Sequence, residues 1–153
     1  MGNNRLDKSL GKDYMKKKVL VLCTGNSIRS QMAEGFLKKY RKNWKIESAG
    51  IFPVGLNPLA VEVMAEAGID ISKNLSKSVS QFTSSSFDLV ITVCDNARRS
   101  CPVFPGDAMI RYIHWSFEDP SVVAGSSENR LNSFRRTRDL IDKKIKEFLK
   151  NYK

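Results

Sequence analysis

Short apolar runs alternate along this chain with segments whose apolar residues recur at helical spacing, and this alternation constrains the fold most strongly. The first run, residues 18–23, is short, almost continuously apolar and contains β-branched valines, which is typical of a buried strand. It stops at the turn-forming residues 24–27, and helical spacing then holds over residues 30–42. A buried strand that leads into an amphipathic helix is the repeating unit of an α/β domain.

The same alternation continues to the end of the chain. We predict further strands over residues 44–49, 87–93 and 109–115. We also predict a helix that begins at Asn57-Pro58 and ends at Gly68, a serine-rich loop over 76–86, and a closing helix over 131–151. The side chains of the closing helix expected to face the core are Phe134, Ile141, Ile145, Phe148 and Leu149. Parallel strands need long crossover connections, and 153 residues are the size of one domain. We therefore predict a single α/β domain, a four-stranded parallel sheet flanked by helices.

The net charge of +10 is concentrated at the two ends of the chain. Residues 1–18 hold six basic and two acidic side chains, and residues 130–153 hold nine and three. Residues 19–129 hold eleven of each sign. A domain that tracks nucleic acid should carry its basic charge on the body of the fold, so we expect no nucleic-acid partner.

The distribution of apolar residues and cysteines indicates where the protein resides. The longest apolar run, residues 19–23, is much shorter than the roughly 18 residues of a membrane span, and no secretory signal follows the basic first residues. Three cysteines without such a signal favour a reducing compartment. We expect a cytoplasmic protein with no membrane partner. Residues 1–15 show no periodicity and are expected to form a disordered arm before a domain over residues 16–153.

The first candidate site is the loop that follows the first predicted strand. A loop that runs from a strand into a helix directs several backbone N–H groups at one point, and such a nest binds an oxyanion. Arg29 can hold two oxygens of a tetrahedral anion, Gly25 removes a Cβ where the backbone turns close to the ligand, and Asn26 tolerates a left-handed conformation. The same positive field favours the thiolate of Cys23, a nucleophile. The predicted oxyanion loop comprises Thr24, Gly25, Asn26, Ser27, Ile28, Arg29 and Ser30.

Two more cysteines follow the strand predicted over residues 87–93. Cys94 and Cys101 should lie at the same sheet edge as Cys23, and the six residues between them can form a short helix or loop able to bring the two sulfurs within bonding reach. Their spacing does not match a zinc site, and His114 is the only histidine, so we expect no metal and no cofactor. A redox pair and two unrelated buried thiols both remain open. Arg98 and Arg99 should favour the thiolate at either sulfur.

An acidic residue before a proline follows the last predicted strand. Pro120 restricts Asp119 to an extended backbone, which can project its carboxyl group over the sheet edge as a general acid. A simple turn that contains an acidic residue is the alternative.

These three pieces, in this order, resemble the thioredoxin-coupled arsenate reductases, which share a fold with the low-molecular-weight protein tyrosine phosphatases. The similarity covers nearly all of residues 16–150. The motifs that carry it are CTGNSIRSQMAEG from residue 23, ESAG from 47, GIDIS from 68, CDNA from 94 and HWSFEDP from 114. The phosphatases share the first loop and the Asp-Pro pair, whereas the Cys94 and Cys101 pair marks the reductases.

The resemblance implies a reaction and partners. Cys23 attacks arsenate while Asp119 helps water leave, Cys94 attacks the Cys23 sulfur, and Cys101 attacks Cys94, leaving a 94–101 disulfide for thioredoxin. By the same likeness, Arg29 binds the oxyanion and Ser30 hydrogen-bonds the Cys23 thiolate. Arsenate and thioredoxin are the expected partners of a monomeric enzyme. A low-molecular-weight tyrosine phosphatase and, more distantly, a redox-sensing phosphate binder without catalysis are the alternatives.

The chain departs from the usual pattern of these reductases at several positions. Ile28 replaces a frequent cysteine, and Arg98 and Arg99 stand where smaller or acidic residues are common. Potassium-binding members have ligands that match Asn26, Glu34, Ser48 and an aspartate at the position of Lys77. Lys77 either pairs with Glu34 in place of that ion or points into solvent.

Overall fold

A computed structural model describes residues 16–152 and contains the predicted sheet. Its strands are β1 (Lys18–Cys23), β2 (Lys45–Gly50), β3 (Leu89–Thr92) and β4 (Arg111–His114), in the order β2-β1-β3-β4. All three neighbouring pairs are parallel, so the predicted four-stranded parallel sheet is confirmed. The expected disordered arm, residues 1–15, lies outside the described residues.

The central strands are the most deeply buried part of the sheet. All four residues of β3 are buried, as are residues 19–23 of β1, whereas edge strand β4 has no buried residue. β3 is shorter than the predicted 87–93. Phe87 and Val93 flank it and are buried because they pack into the core, so the apolar pattern extends beyond the strand.

Within residues 16–152, four α-helices flank the sheet: α1 (Arg29–Tyr40), α2 (Pro58–Glu66), α3 (Asp95–Arg99) and α4 (Ser127–Asn151). The predicted helix start at Asn57-Pro58 is confirmed, since the Asn57 side chain accepts a hydrogen bond from the Leu59 N–H at 2.8 Å. The predicted loop 76–86 contains one turn of 3-10 helix, Val79–Phe82. None of the helices in the described part of the chain is both long and apolar enough to cross a membrane.

The closing helix α4 begins four residues before the predicted start. Ser126 caps the helix by accepting a hydrogen bond from the Asn129 N–H at 3.1 Å. Because the first turn is polar, the apolar spacing does not reveal where the helix begins. Of the five side chains expected to face the core, Phe148 is only partly buried. Its ring packs against Trp115 and Tyr152 at the end of the helix, with centroid distances of 5.4 and 5.0 Å.

Candidate active site

The loop between β1 and α1 is fixed by Asn26, which is fully buried. Asn26 is the one non-glycine residue with positive φ (47°) among residues 16–152, so the expected left-handed conformation is observed. Its side-chain amide donates to the hydroxyls of Ser30 (2.8 Å) and Ser48 (2.9 Å), and its Oδ1 accepts from the Lys77 backbone N–H (2.7 Å). One side chain therefore ties the loop to α1, to β2 and to the segment after α2.

The sulfur of Cys23 lies in the centre of this loop and is almost completely buried. The Ser30 hydroxyl is 2.9 Å from Cys23 Sγ, the contact that the family resemblance implies, and the Asn26 N–H donates to Sγ at 3.2 Å. Because the Asn26 amide already donates to the Ser30 oxygen, the Ser30 hydrogen is free to point at sulfur. Hydrogen bonds to sulfur from such donors stabilise a thiolate over a thiol.

Two glycines shape the loop. A Cβ on Gly25 would lie 2.9 Å from Val54 Cγ2, so a side chain of the neighbouring segment also restricts this position. Gly50 at the end of β2 is more constrained, since its Cβ would lie 2.7 Å from the Asn26 N and the Thr24 O atoms. A side chain at residue 50 would force the loop away from the sheet.

Arg29 and Asp119 lie together beside the loop. Arg29 Nη1 donates to the Phe117 carbonyl oxygen at 2.9 Å, and Nη2 is 3.9 Å from Asp119 Oδ2. Asp119 in turn accepts hydrogen bonds from the backbone N–H (2.9 Å) and the hydroxyl (2.7 Å) of Ser121. The segment that follows β4 thus holds both the guanidinium and the carboxyl group at the loop.

These groups line one hollow of about 330 Å³. Four of its residues were not predicted as site residues: Phe52, Val54, Asn57 and Ser121. Phe52 and Val54 follow β2 and are 69% and 74% exposed. Two exposed apolar residues within a short loop are the signal that could have found them.

Cys94 lies against the oxyanion loop. It directly precedes α3, and its sulfur is 3.3 Å from the hydroxyl oxygen of Thr24. Asn96 Nδ2 donates to the same oxygen at 3.1 Å. The structure therefore brings together Cys23, its loop and Cys94 at one sheet edge.

Cys101 lies in a separate hollow lined by Thr92, Arg98, Tyr112, Ile113 and His114. Burial raises the pKa of its thiol to about 11, and the Asp107 carboxylate adds to the increase. Arg98 does not offset these two effects, so the expectation that the arginines favour a thiolate at Cys101 is wrong. All three cysteines are free thiols.

A histidine contact between β4 and α3 was not predicted. His114 Nδ1 is 2.8 Å from Thr92 Oγ1, and Nε2 is 2.9 Å from Asp95 Oδ1. The hydrogen bond from His114 is the main cause that lowers the pKa of Asp95. This contact could have been indicated by the position of the only histidine of the chain at the end of a strand.

The residues that match the potassium ligands of the family lie together in the structure, but the Lys77 ammonium group does not pair with their carboxylate, Glu34. Ser48 donates to Glu34 Oε1 at 2.5 Å, and Lys38 Nζ is 2.8 Å from Glu34 Oε2. Lys77 Nζ is instead 3.6 Å from Glu47 Oε2, with 18% of its side chain exposed. Both alternatives considered for Lys77 are therefore wrong, since it neither pairs with Glu34 nor points into open solvent. Lys38, one turn along α1, supplies the positive charge at Glu34.

Comparison with known proteins agrees with this geometry. Residues 18–153 match the family described as low molecular weight phosphotyrosine protein phosphatase. The arsenate reductase of Halalkalibacterium halodurans is 47% identical over 134 residues (87% of this chain and 95% of that protein). The arsenate reductase of Bacillus subtilis is 45% identical over 136 residues (88% and 96%).

Solved structures show the same similarity. An arsenate reductase in a phosphate-binding state superposes with a TM-score of 0.72 at 29% identity, covering 90% of this chain and 99% of that one. A thioredoxin-dependent arsenate reductase of Corynebacterium glutamicum gives 0.64 at 28% identity, covering 87% of this chain and 60% of that one. With its fold, its anion loop and these relatives, the chain belongs to the low molecular weight phosphotyrosine protein phosphatase family, a family of enzymes.

Proposed function

We propose that this protein reduces arsenate to arsenite, for arsenic detoxification, through Cys23, Cys94 and Cys101, with thioredoxin as the electron donor. The observation that carries the proposal is the second thiol at the anion loop, Cys94 Sγ at 3.3 Å from Thr24 Oγ1. Hydrolysis of a phosphate ester needs one thiol at such a loop, whereas reduction needs sulfurs that accept the oxidising equivalents. The curated relatives named above and the thioredoxin-dependent structural relative support it.

The first step is binding of arsenate and attack by Cys23. The backbone N–H groups of residues 24–30 and the guanidinium of Arg29 hold the oxyanion oxygens. The Cys23 thiolate then forms a sulfur–arsenic bond, and one oxygen leaves as water with a proton from Asp119. Asp119 suits this role because its carboxyl group lines the same hollow as Cys23.

The second step moves two electrons to arsenic. The Cys94 thiolate attacks the Cys23 sulfur, a disulfide forms between them, and the electron pair of the sulfur–arsenic bond remains on arsenic, which leaves as arsenite. The hydroxyl of Thr24 supports this attack, because it is in contact with Cys94 Sγ at the edge of the loop.

The third step regenerates Cys23. Cys101 loses its proton and attacks the Cys94 sulfur, so that Cys23 leaves as a thiolate and a 94–101 disulfide remains. The two thiols of thioredoxin then reduce this disulfide and become a disulfide themselves. We place this cycle in the cytoplasm, where thioredoxin is kept reduced, and propose that a monomer performs it, since the described residues of one chain contain every group that the cycle uses.

A second candidate activity, hydrolysis of aryl phosphates, has one specific observation in its favour. Phe52 and Val54 line the hollow and are largely exposed, although a small inorganic anion needs no apolar surface. An aromatic ring attached to phosphate could pack against them. We infer that any such hydrolysis is slow and needs only Cys23, Arg29 and Asp119.

The test follows NADPH oxidation in the presence of thioredoxin and thioredoxin reductase, with and without arsenate. Arsenate-dependent oxidation is expected for the wild type and is expected to be lost in Cys23→Ser, Cys94→Ser and Cys101→Ser. Hydrolysis of p-nitrophenyl phosphate should be lost only in Cys23→Ser. Because Cys94→Ser and Cys101→Ser should keep this hydrolysis, they serve as matched controls for folding of the loop. Equal loss of both activities in folded Cys94→Ser would make that cysteine structural. Rapid phosphate hydrolysis without arsenate reduction would make the phosphatase alternative correct.

A further inference from the structure

The imidazole of His114 connects the sheet to the short helix between the two cysteines. His114 is the last residue of β4, and its ring is 20% exposed. One ring nitrogen is 2.8 Å from Thr92 Oγ1 at the end of β3, and the other is 2.9 Å from Asp95 Oδ1 at the first residue of α3. Both nitrogens thus have a partner, which fixes the orientation of the ring.

The contact between His114 and Asp95 restrains the residue that follows Cys94. Asp95 follows Cys94 directly, so a tie between Asp95 and the sheet restricts where Cys94 can be. In the structure Cys94 Sγ contacts Thr24 Oγ1, the side chain of the residue that follows Cys23. His114 therefore helps to hold Cys94 at the anion loop although it does not touch that loop.

The same arrangement does not fit a bond between Cys94 and Cys101. The two residues are seven positions apart: Cys94 is the N-cap of the five-residue helix α3, and Cys101 follows its C-cap, Ser100. Seven residues of continuous helix would span about 10 Å at the helical rise of about 1.5 Å per residue. A disulfide needs Cα atoms within about 7 Å. Cys101 also lies in a different hollow, bordered by His114 itself. Helix α3 must therefore unwind or shift before the two sulfurs can bond.

We propose that His114 is a positioning residue, which holds α3 in the dithiol state through Asp95 and releases it when the 94–101 disulfide forms. The inference rests on the cysteine relay proposed above. A contact present only in the dithiol state stabilises that state and raises the reduction potential of the pair. The contact would keep Cys94 at the loop for its attack on Cys23, and it would favour return of the pair to two thiols after each turnover.

The experiment measures the reduction potential of the pair in glutathione buffers, in full-length protein that carries Cys23→Ser so that only one pair of thiols titrates. The reaction is balanced: the thiols of Cys94 and Cys101 and one oxidised glutathione give a disulfide and two reduced glutathione molecules. Mass spectrometry after alkylation counts the free thiols. The same samples, fully reduced, give the rate of alkylation of Cys94.

Loss of the contact should favour the disulfide. In Asp95→Ala and in His114→Phe, the equilibrium is expected to move toward the disulfide by about three- to tenfold, a decrease of about 15 to 30 mV in reduction potential. Asp95→Asn keeps an oxygen that can pair with the ring, so its potential should stay close to that of the parent protein. Alkylation of Cys94 should be faster in the first two variants than in Asp95→Asn.

A double variant separates this contact from other roles of the two residues. Asp95 is also a first-turn acid, which by itself stabilises a helix N-terminus. If both residues act through one contact, the double variant Asp95→Ala/His114→Phe should shift the potential no further than either single variant. Glu128→Ala is the matched control, because Glu128 is an exposed first-turn acid of α4 that pairs with Arg135. The reduction potential of the Glu128→Ala variant should equal that of the parent protein.

The outcomes distinguish this proposal from the relay. Unchanged potentials in Asp95→Ala and His114→Phe, or additive shifts in the double variant, would overturn the role of His114 while leaving the relay intact. A parent protein in which no 94–101 disulfide forms would refute the relay and with it this role. If His114→Phe fails to fold, the comparison of Asp95→Ala with Asp95→Asn decides, since the Asp95 side chain is 63% exposed and tolerates substitution.

Discussion

At the scale of single residues, the surroundings of Cys23 and Cys101 differ because of the neighbours that packing brings to each sulfur. Cys23 has two donors to its sulfur, whereas Cys101 has burial and the Asp107 carboxylate around it. The family resemblance implied the Ser30 contact, which the structure contains. Sequence motifs could not predict the environment of Cys101, since Asp107 and Tyr112 reach it from later segments.

We expect Ser30→Ala to lower kcat/KM for arsenate by about ten- to a hundredfold, because a hydrogen bond to a charged group contributes about 1.5–3 kcal/mol. The loss of a donor should also slow alkylation of Cys23 by iodoacetate at neutral pH. Ser27→Ala, in the same loop, keeps the backbone N–H of residue 27 and is the control, so it should change both rates little. Equal effects of the two substitutions would contradict a specific role of Ser30.

The Cys101 thiol should react slowly at neutral pH. Because burial and Asp107 raise its pKa to about 11, the thiolate fraction and the alkylation rate should increase about tenfold per pH unit from pH 7 up to that value. Asp107→Asn removes a negative charge near the sulfur and should lower this pKa, so alkylation at pH 8 becomes faster. Mass spectrometry of labelled peptides measures the rate. An unchanged rate would mean that burial alone determines the pKa.

At the scale of elements, the strands and helices were predictable because apolar periodicity depends on local sequence, but contacts between elements were not. The start of α4 was missed since its first turn is polar and capped by Ser126. Lys77 was expected to pair with Glu34 or to point into solvent, yet it pairs with Glu47 on β2 while Lys38 pairs with Glu34. Which lysine meets which carboxylate depends on how helices and strands pack, and spacing along the chain does not contain that information.

The contact between α2 and α4 predicts an acid-dependent stability. Glu66 on α2 accepts hydrogen bonds from Arg135 and Arg138 on α4, and these guanidinium groups lower the pKa of Glu66 to about 2. A lowered folded-state pKa gives stability that is present above pH 4.5 and is lost as the pH falls to about 2.

We therefore expect Glu66→Gln to lower Tm at pH 7, with a difference from wild type that disappears toward pH 2. Thermal unfolding followed by circular dichroism across this pH range is the measurement. Glu62→Gln, an exposed residue of the same helix, is the control. A difference that persists unchanged at pH 2 would show that Glu66 acts through packing rather than through its charge.

At the scale of the whole molecule, the predicted four-stranded parallel sheet is confirmed, because it follows from a strand–loop–helix pattern of adjacent residues. The sheet order brings the ends of β1, β3 and β4 together, and so collects groups that are up to about 95 residues apart, Cys23 and Asp119 among them. The exposed apolar rim of Phe52 and Val54 was missed because isolated apolar residues in loops are common.

We propose that residues 1–14 are a dispensable arm, since the first element within the described residues is β1, which begins at Lys18. Protein that begins at Met15 should keep its arsenate reductase activity and its Tm within experimental error. The steady-state assay and thermal unfolding of both proteins test this. A decrease of several degrees in Tm would show that the arm packs on the domain.

Cys23 and Cys101 line separate hollows, which affects how the oxyanion and the reductant reach the enzyme. The linings of the two hollows have no residue in common. We therefore expect that an oxyanion bound in the first hollow does not occupy the surface at Cys101 that a protein-sized reductant needs. High arsenate concentrations should then leave the apparent affinity for the reductant unimpaired, so that the enzyme keeps turning over when its substrate is abundant.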